Sequence, residues 1–289
     1  MKTLRELLTS AQEKKVAIGH FNISDIVTLQ AIIESAKELS IPVIIGTSEG
    51  ESNYIGEYNA SSMVNNVRAK SDQHVFLNAD HTHSLEKVKV AVQAGYDAIL
   101  FDGGKLPFEE NIARTKEIVD YVKSQNKNIL VEGELGYIGS SSKILTEIPE
   151  GAAIKEEDLT TPEEAKRFVE ETGIDLLAPA VGNIHGMFKG ASNPRINIER
   201  IKKIKEATGV PLVLHGGSGI VDEDFTEAIT AGITIIHINT EIRSAWRMGL
   251  EKTLQEKPDE VAPYKLTADA YIKMKEVITA RLRLFNTLK

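Results

Sequence analysis

The chain contains no cysteine, one tryptophan and few aromatic residues, and these absences exclude several classes of protein. Without cysteine there is no disulfide and no thiolate metal site, so any transition metal must be bound by histidine and carboxylate side chains. No apolar run approaches the ~20 residues of a membrane span. The N-terminus carries charges throughout and lacks the apolar core of a signal peptide. We therefore expect a cytoplasmic protein that does not enter a membrane.

Positive charge is also scarce, since 34 Lys and Arg face 42 Asp and Glu and give a net charge of −8. This balance argues against nucleic-acid binding and against attraction to an anionic membrane surface. An anionic substrate would need local positive groups or backbone amides. The 289 residues, 42% of them hydrophobic, are long enough for one large domain, and we expect a single domain over residues 1–289.

Eight short apolar runs recur along the chain, separated by segments with helical periodicity. They cover residues 16–22, 42–48, 74–81, 98–104, 128–136, 176–183, 211–217 and 233–240. Runs that are apolar throughout, rather than alternating, indicate parallel strands buried on both faces. Eight such units predict an α/β protein with a single (β/α)8 TIM barrel. The mostly helical residues 241–289 predict extra C-terminal helices.

Three histidines follow separate predicted strands: His81, His185 and His215. The C-terminal ends of all barrel strands meet at one face, so these distant residues are expected to converge there. Three imidazoles with one open position form the ligand set of a catalytic zinc site. A lone histidine at such a place is more often a hydrogen-bonded structural residue, but three together favour metal binding.

Other polar residues stand at the ends of the predicted strands, where catalytic groups of barrels normally lie. They are Asn22, Ser48, Asp80, Asp102, Glu132, Glu134, Asn183, Ser218, His237, Asn239 and Thr240. His83 is predicted to begin the following helix, and His20 and His74 are predicted to be structural.

Two glycine-rich turns follow the sixth and seventh predicted strands, at residues 182–186 and 215–219. Glycine permits close backbone approach, and successive free N–H groups form a nest for an anion. Ser218, Thr240 and the ammonium group of Lys189 would complete a phosphate site near strands seven and eight. The alternative is that the glycines only form tight turns between strands and helices.

A series of motifs extends in order over nearly the whole chain. The motifs are Phe21-Asn22, PVIIGTSEG, Asp80-His81, FDGGKLPFEENI, VEGELGYIG, TPEEAKRFVEETGIDLLAPAVGNIHGMFKG, LVLHGGSGI and INTEIRSAW. This series resembles the class II, zinc-dependent ketose-bisphosphate aldolases, the group of the fructose- and tagatose-bisphosphate aldolases. The resemblance implies a lyase of carbohydrate metabolism that reversibly cleaves a ketose 1,6-bisphosphate, with fructose 1,6-bisphosphate the first choice, to dihydroxyacetone phosphate and glyceraldehyde 3-phosphate. The alternatives are tagatose bisphosphate or a related phosphorylated sugar as substrate, and a metal-binding homologue without turnover.

The resemblance also implies roles for individual residues. The Zn²⁺ ligands fall on His81, His185 and His215, a glutamate that can approach the metal falls on Glu134, and the proton shuttle at the C4 hydroxyl falls on Asp80. The residues expected at the phosphate of the dihydroxyacetone phosphate half are Gly186, Lys189, Gly216, Ser218 and Thr240. A monovalent cation (Na⁺ or K⁺) and a homodimer or homotetramer are implied as well. Because Zn²⁺ can take up the charge of the enediolate, no lysine Schiff base is needed.

The sequence departs from this family at the eighth predicted strand, where His237 replaces an asparagine that contacts the enediolate. His237 is then a rearranged substrate contact, a change in cation binding or an extra metal ligand. For the second phosphate, Arg281 or Arg283 is the candidate.

The connection at residues 137–160 is unusually long and is either a lid or a surface excursion. Relatives carry acidic residues there that help to move a proton at C3, whereas this sequence has Ser140-Ser141-Ser142-Lys143. Glu147 or Glu150 is the candidate replacement.

Overall fold

The barrel strands run parallel and close on themselves. The computed structural model describes residues 2–139 and 142–288. Its strands are β1 (Ile18–Asn22), β2 (Val43–Ser48), β3 (Val75–Thr82), β4 (Ala98–Phe101), β5 (Leu130–Leu135), β6 (Ile144–Leu145), β7 (Leu176–Pro179), β8 (Met187–Phe188), β9 (Leu212–Leu214) and β10 (Ile233–Ile238). The barrel order is β1-β10-β9-β7-β5-β4-β3-β2, while β6 and β8 form a separate pair. The predicted (β/α)8 barrel is confirmed.

Helices surround the barrel. They are α1 (Leu4–Lys14), α2 (Ile26–Leu39), α3 (Glu49–Ile55), α4 (Glu57–Lys70), α5 (Leu85–Ala94), α6 (Phe108–Gln125), α7 (Pro162–Thr172), α8 (Ile198–Thr208), α9 (Asp222–Ala231), α10 (Thr240–Glu256), α11 (Pro263–Leu266) and α12 (Ala268–Phe285). Local signals set several ends, as in α7. There Thr161 and Glu164 form a capping box, and Gly173 ends the helix with a φ of 72°.

The N-terminal helix α1 covers one end of the barrel. Its Leu4 and Leu8 are buried and belong to one apolar cluster with Ile18, Phe76 and Val213, which come from the early parts of strands. Burying these side chains stabilises the barrel floor, because each removes apolar surface from water. The floor is closed in this way, so the polar strand ends form the accessible mouth.

The predicted C-terminal helices are present, and α12 packs against α10 and α2. Its inward face is apolar, with Met274, Ile278, Leu282 and Phe285 buried at the periodicity expected of a packed helix. In the described part of the chain, no helix is both long and apolar enough to cross a membrane.

The long connection after β5 is partly fixed to the segment that follows β7. Ile144 pairs with Met187 and Leu145 with Phe188, which forms the short β6–β8 sheet. The backbone N–H of His185 also donates to the carbonyl of Ile138 at 2.8 Å. The start of the connection is therefore part of the wall that carries a predicted metal ligand.

Candidate active site

Asp80 and His81 are neighbours in β3, yet both side chains line one cavity. Adjacent side chains of a regular strand point to opposite faces. Here the pairing of β3 with β4 shifts between Ala79 and Thr82, and His81 has a φ of 53°. This bulge, with a non-glycine residue in the left-handed region, turns both side chains towards the cavity.

The three predicted metal ligands come together at the mouth of the barrel. His81 lies in β3, His215 directly follows β9, and His185 lies between β7 and β8. The ring centroids are 4.9 Å apart for His81 and His185, 5.0 Å for His81 and His215, and 5.9 Å for His185 and His215. One nitrogen from each ring lies within 4.8 Å of the other two.

Hydrogen bonds determine which nitrogen of each ring is free. The bonds are His81 Nδ1 to Asp102 Oδ2 (2.9 Å), His185 Nδ1 to Gly139 O (2.7 Å) and His215 Nε2 to Glu132 Oε1 (2.7 Å). A carboxylate or a carbonyl accepts the hydrogen bond, so each of these nitrogens carries a proton and the opposite nitrogen of the ring is the one that can bind a metal ion. His215 Nδ1 is buried without a partner among the described residues. Each of the three rings is oriented by an oxygen acceptor at one nitrogen and has its other nitrogen left for a metal ion. This is how histidine ligands of zinc sites are usually held.

The charge around these rings also suits a divalent cation. Glu134 Oε2 lies 3.5 Å from His81 Nδ1, and burial together with the charge of Asp102 raises the pKa of Glu134 to about 8. Burial alone would lower the pKa of His81, but the carboxylates of Asp80, Asp102 and Glu134 outweigh it and raise that pKa to about 10. A metal ion must displace this proton, so its affinity should fall as the pH falls.

Asp80 is held in the ionised form. Burial alone would raise its pKa, but the positive charge of His81 and the contact with His237 outweigh burial and hold the pKa well below its usual range. Its Oδ2 accepts a hydrogen bond from Asn22 Nδ2 at 2.9 Å. The same Asn22 amide donates to Glu51 Oε2 at 2.8 Å, and Glu51 Oε1 lies 2.5 Å from Arg243 Nη2. Asp80 is therefore available as a proton acceptor.

His20 and His237 form a buried pair of rings beside Asp80. Their centroids are 3.5 Å apart and the ring planes differ by 5°. Burial lowers the pKa of His20 to about 4 and holds that of His237 well below its usual range, so both rings are neutral and do not repel each other. His20 was predicted only as a structural residue, and it does not line the cavity.

The cavity has a volume of about 260 Å³, and most of the predicted site residues line it. Those that do are Asn22, Ser48, Asp80, His81, His185, Gly186, His215, Gly216, Ser218, His237, Asn239 and Thr240. Glu134 is not on the wall of the cavity, but its carboxylate contacts the Nδ1 side of the His81 ring. Lys189 is exposed beyond β8 and is not on the wall, so the geometry does not support its predicted role at a phosphate.

One end of the cavity has the features of an anion site. Gly216 has a φ of 63°, and a Cβ there would lie 2.2 Å from the carbonyl oxygen of Ile184, so only glycine fits. Thr240 is the first residue of α10, and its neighbour Glu241 donates its backbone N–H to Ser218 Oγ at 3.1 Å. A glycine turn beside a helix N-terminus provides N–H groups and a positive dipole end for an anion.

Arg243 is a cavity residue that sequence analysis missed. It follows Thr240 by three positions in α10, which places both on the same helix face, and this spacing could have identified it. Arg281, by contrast, bonds to Glu241 at 2.8 Å and to Asp222 at 2.7 Å. Neither Arg281 nor Arg283 lines the cavity, so the geometry does not support either prediction for the second phosphate.

The residues predicted to replace the loop acid are not at the cavity. Ser140 and Ser141 lie outside the described residues, Ser142 lines the cavity, and Glu147 and Glu150 are exposed and do not. A different carboxylate, Glu49, is on the wall.

His83 lies two residues before α5, whose N-cap is Ser84. Its backbone N–H donates to Glu49 Oε1 at 2.9 Å. His83 also lines the cavity. The sequence predicted only that it begins the following helix.

Replacing Glu132 by glutamine should weaken zinc binding about 10- to 100-fold, because the acceptor that orients His215 loses its charge. The substitution keeps the shape of a side chain that is 1% exposed. Competition with a chelator of known affinity measures the change. Glu109→Gln, which alters an exposed partner of Arg167, is the matched control. Wild-type affinity in Glu132→Gln would show that this contact does not support the ligand.

The fold and the site together define a class of protein. A parallel barrel presents three imidazoles that could hold a metal ion, an ionised carboxylate and a glycine turn beside a helix N-terminus at the carboxyl ends of its strands. This arrangement suits a barrel enzyme that uses a bound metal ion.

Comparisons with known proteins identify the family within this class. The family described as Fructose-bisphosphate aldolase class-II matches residues 2–289. The fructose-bisphosphate aldolase of Geobacillus stearothermophilus is 34% identical over 290 residues, covering 99% of this chain and 96% of that protein. That of Staphylococcus aureus strain Mu50 is 35% identical over 288 residues, covering 99% and 97%. The structure of the YdjI aldolase from Escherichia coli K12 matches with a TM-score of 0.81 at 32% identity, covering 99% and 97%. The chain belongs to the class II fructose-bisphosphate aldolase family, whose members are metal-dependent lyases.

Proposed function

We propose that this protein is a zinc-dependent aldolase that reversibly cleaves fructose 1,6-bisphosphate to dihydroxyacetone phosphate and glyceraldehyde 3-phosphate. The observation that carries the proposal is the convergence of one nitrogen each from His81, His185 and His215 within 4.8 Å, beside the ionised Asp80. Membership of the family supports the same reaction.

Cleavage breaks the bond between C3 and C4 of the ketose. The proton of the C4 hydroxyl leaves, the C4–O bond becomes a carbonyl, and the electrons of the broken bond pass to the dihydroxyacetone phosphate half, which is completed when a proton from solvent is added at C3. Asp80 accepts that proton, since it is ionised and lines the cavity. Zn²⁺ held by His81, His185 and His215, with Glu134 in reach, would act as a Lewis acid that offsets the negative charge.

The two phosphates of the substrate bind at separate positions on the cavity wall. The phosphate of the dihydroxyacetone phosphate half binds at the nest of Gly186, Gly216 and Ser218 with the start of α10. The second phosphate pairs with Arg243, a cation on the cavity wall. Ser48 and Asn239, which line the cavity, bond the sugar hydroxyls.

Further parts of the proposal concern the setting of the enzyme. A monovalent cation, Na⁺ or K⁺, binds near the phosphate nest through backbone oxygens. The protein acts in the cytoplasm as a homodimer or homotetramer. Exposed apolar side chains such as Tyr54, Val261 and Tyr264, which are 81%, 84% and 76% exposed, are consistent with a subunit interface.

The test compares kcat/KM for fructose 1,6-bisphosphate and tagatose 1,6-bisphosphate. We expect cleavage of the fructose compound, loss of cleavage on treatment with EDTA, and recovery when Zn²⁺ is added. A clear preference for the tagatose compound would support the alternative substrate, for which His237 is the motivating feature. Absence of cleavage with every ketose bisphosphate, despite bound zinc, would overturn the proposed reaction.

A further inference from the structure

The two oxygens of the Asp80 carboxylate differ in their hydrogen bonding. Oδ2 is bonded to Asn22, whereas Oδ1 is buried and has no hydrogen-bond partner among the described residues. An unpaired buried carboxylate oxygen is costly, so a donor is expected nearby. Two ring nitrogens are close to it: His237 Nδ1 at 3.4 Å and His81 Nε2 at 3.7 Å.

Of these two nitrogens, only the one in His237 can serve as the donor. In the zinc-loaded protein His81 Nδ1 would donate to Asp102 while Nε2 would bind the metal ion, so His81 would have no proton left for Asp80. His237 Nε2 is buried with no hydrogen-bond partner in the part of the chain that the structure describes, so a proton on that nitrogen would have no acceptor. With the proton on Nδ1, shortening the contact to Asp80 by about 0.4 Å gives an ordinary N–H···O bond.

His20 holds the ring of His237 in this orientation. The two rings are parallel and 3.5 Å apart, and His20 is fully buried with its Nε2 3.1 Å from Asn78 Nδ2. The space that the His20 ring occupies exists because residue 46 is glycine. A Cβ on Gly46 would lie 2.2 Å from His20 Cε1. The ring pair is therefore built into the packing of the barrel interior.

We propose that His237, held by its stack on His20, is a positioning residue that orients the carboxylate of Asp80 for proton transfer at the C4 hydroxyl. Asn22 holds one carboxylate oxygen and His237 holds the other, which leaves the side chain a single orientation. Displacing a reacting group by about 1 Å can cost 100-fold in rate, so this orientation matters for turnover. The inference rests on the proposed function, and its test includes a measurement that does not depend on the substrate.

Two substitutions of His237 test the hydrogen-bond donor Nδ1 separately from the ring that stacks on His20. His237→Phe keeps a ring on His20 but removes Nδ1, and it should lower kcat for cleavage about 10- to 100-fold with KM and zinc content unchanged. His237→Asn loses the ring but can place an amide N–H where Nδ1 was, and it should recover most of that loss. His74→Phe, the same change at the residue before β3 and away from the cavity, should have wild-type kcat.

A second reaction distinguishes positioning from general damage. The enzyme should also exchange a proton of dihydroxyacetone phosphate, at the carbon that was C3 of the ketose, with D₂O. That exchange needs no base at the C4 hydroxyl, so His237→Phe should exchange at the wild-type rate. Wild-type cleavage by His237→Phe, or equal losses of cleavage and exchange, would overturn the proposed role.

NMR of ¹⁵N-histidine in the zinc-loaded protein tests the contact without any substrate. The His237 signals, assigned from the spectrum of His237→Phe, should show the proton on Nδ1 in the wild type. In Asp80→Ala this preference should be lost. A proton on Nε2 in the wild type would overturn the inference, even if cleavage is observed. If the wild-type protein cleaves no ketose bisphosphate but His237 carries the proton on Nδ1, the proposed function fails while the Asp80 contact stands.

Discussion

Replacement of His185 by alanine is expected to reduce bound zinc from one ion per chain to almost none and to abolish cleavage. His185 supplies one of three nitrogen ligands, and its ring is fixed by the bond from Nδ1 to Gly139 O. Two imidazoles do not hold a catalytic zinc ion, which normally has three protein ligands. Without the metal, the charge left on the dihydroxyacetone phosphate half is not offset, so we expect kcat/KM to fall by at least about 10⁴-fold.

Atomic absorption gives the metal content, and a coupled assay gives the rate. His74→Ala removes a histidine near the other end of the barrel, and it should retain both zinc and activity. A circular dichroism spectrum like that of the wild type shows that His185→Ala is folded. Full activity of folded His185→Ala would contradict the assignment of this residue as a ligand.

Replacement of Asp80 by asparagine should leave zinc bound and lower kcat about 10²- to 10⁴-fold, the usual contribution of a general base. This loss corresponds to about 3–5 kcal/mol of transition-state stabilisation. Asparagine keeps the size of a side chain that is 4% exposed but does not accept the C4 proton. The result separates metal binding from proton transfer, because His185→Ala loses both zinc and turnover whereas Asp80→Asn loses turnover alone.

The measurement is a single-turnover cleavage rate together with zinc content. Asp120→Asn, a change on the exposed face of α6, is the control and should behave as the wild type. Turnover by Asp80→Asn within a fewfold of the wild type would assign the proton transfer to another group.

Much of the fold followed from local patterns. The runs at 42–48 and 233–240 became β2 and β10 because strands covered on both faces have no polar side to interrupt the apolar run. The cap at Thr161 and the stop at Gly173 are short-range features that depend on a few neighbouring residues. Barrel closure then determines that strand ends meet, which is why His81, His185 and His215 could be grouped before their distances were known.

Other features depend on packing that no local pattern reports. The bulge at Asp80 and His81 follows from a register shift between β3 and β4, so alternation along the strand would have placed these side chains on opposite faces. The sequence does not indicate the stacking of His20, because its partner His237 is far away in the chain. The space for the His20 ring depends on Gly46, which lies in a neighbouring strand. The strands near His185 and His215 are also shorter than predicted, since β7 ends at Pro179 and β9 at Leu214.

The most direct measurement is a crystal structure of the zinc-loaded protein with anomalous data collected at the zinc absorption edge. We predict one strong peak about 2.0–2.1 Å from His81 Nε2, His185 Nε2 and His215 Nδ1, the usual Zn–N distance. A peak bound instead by His20, Asp80 and His237, or no peak at the three histidines, would contradict this assignment of the metal site.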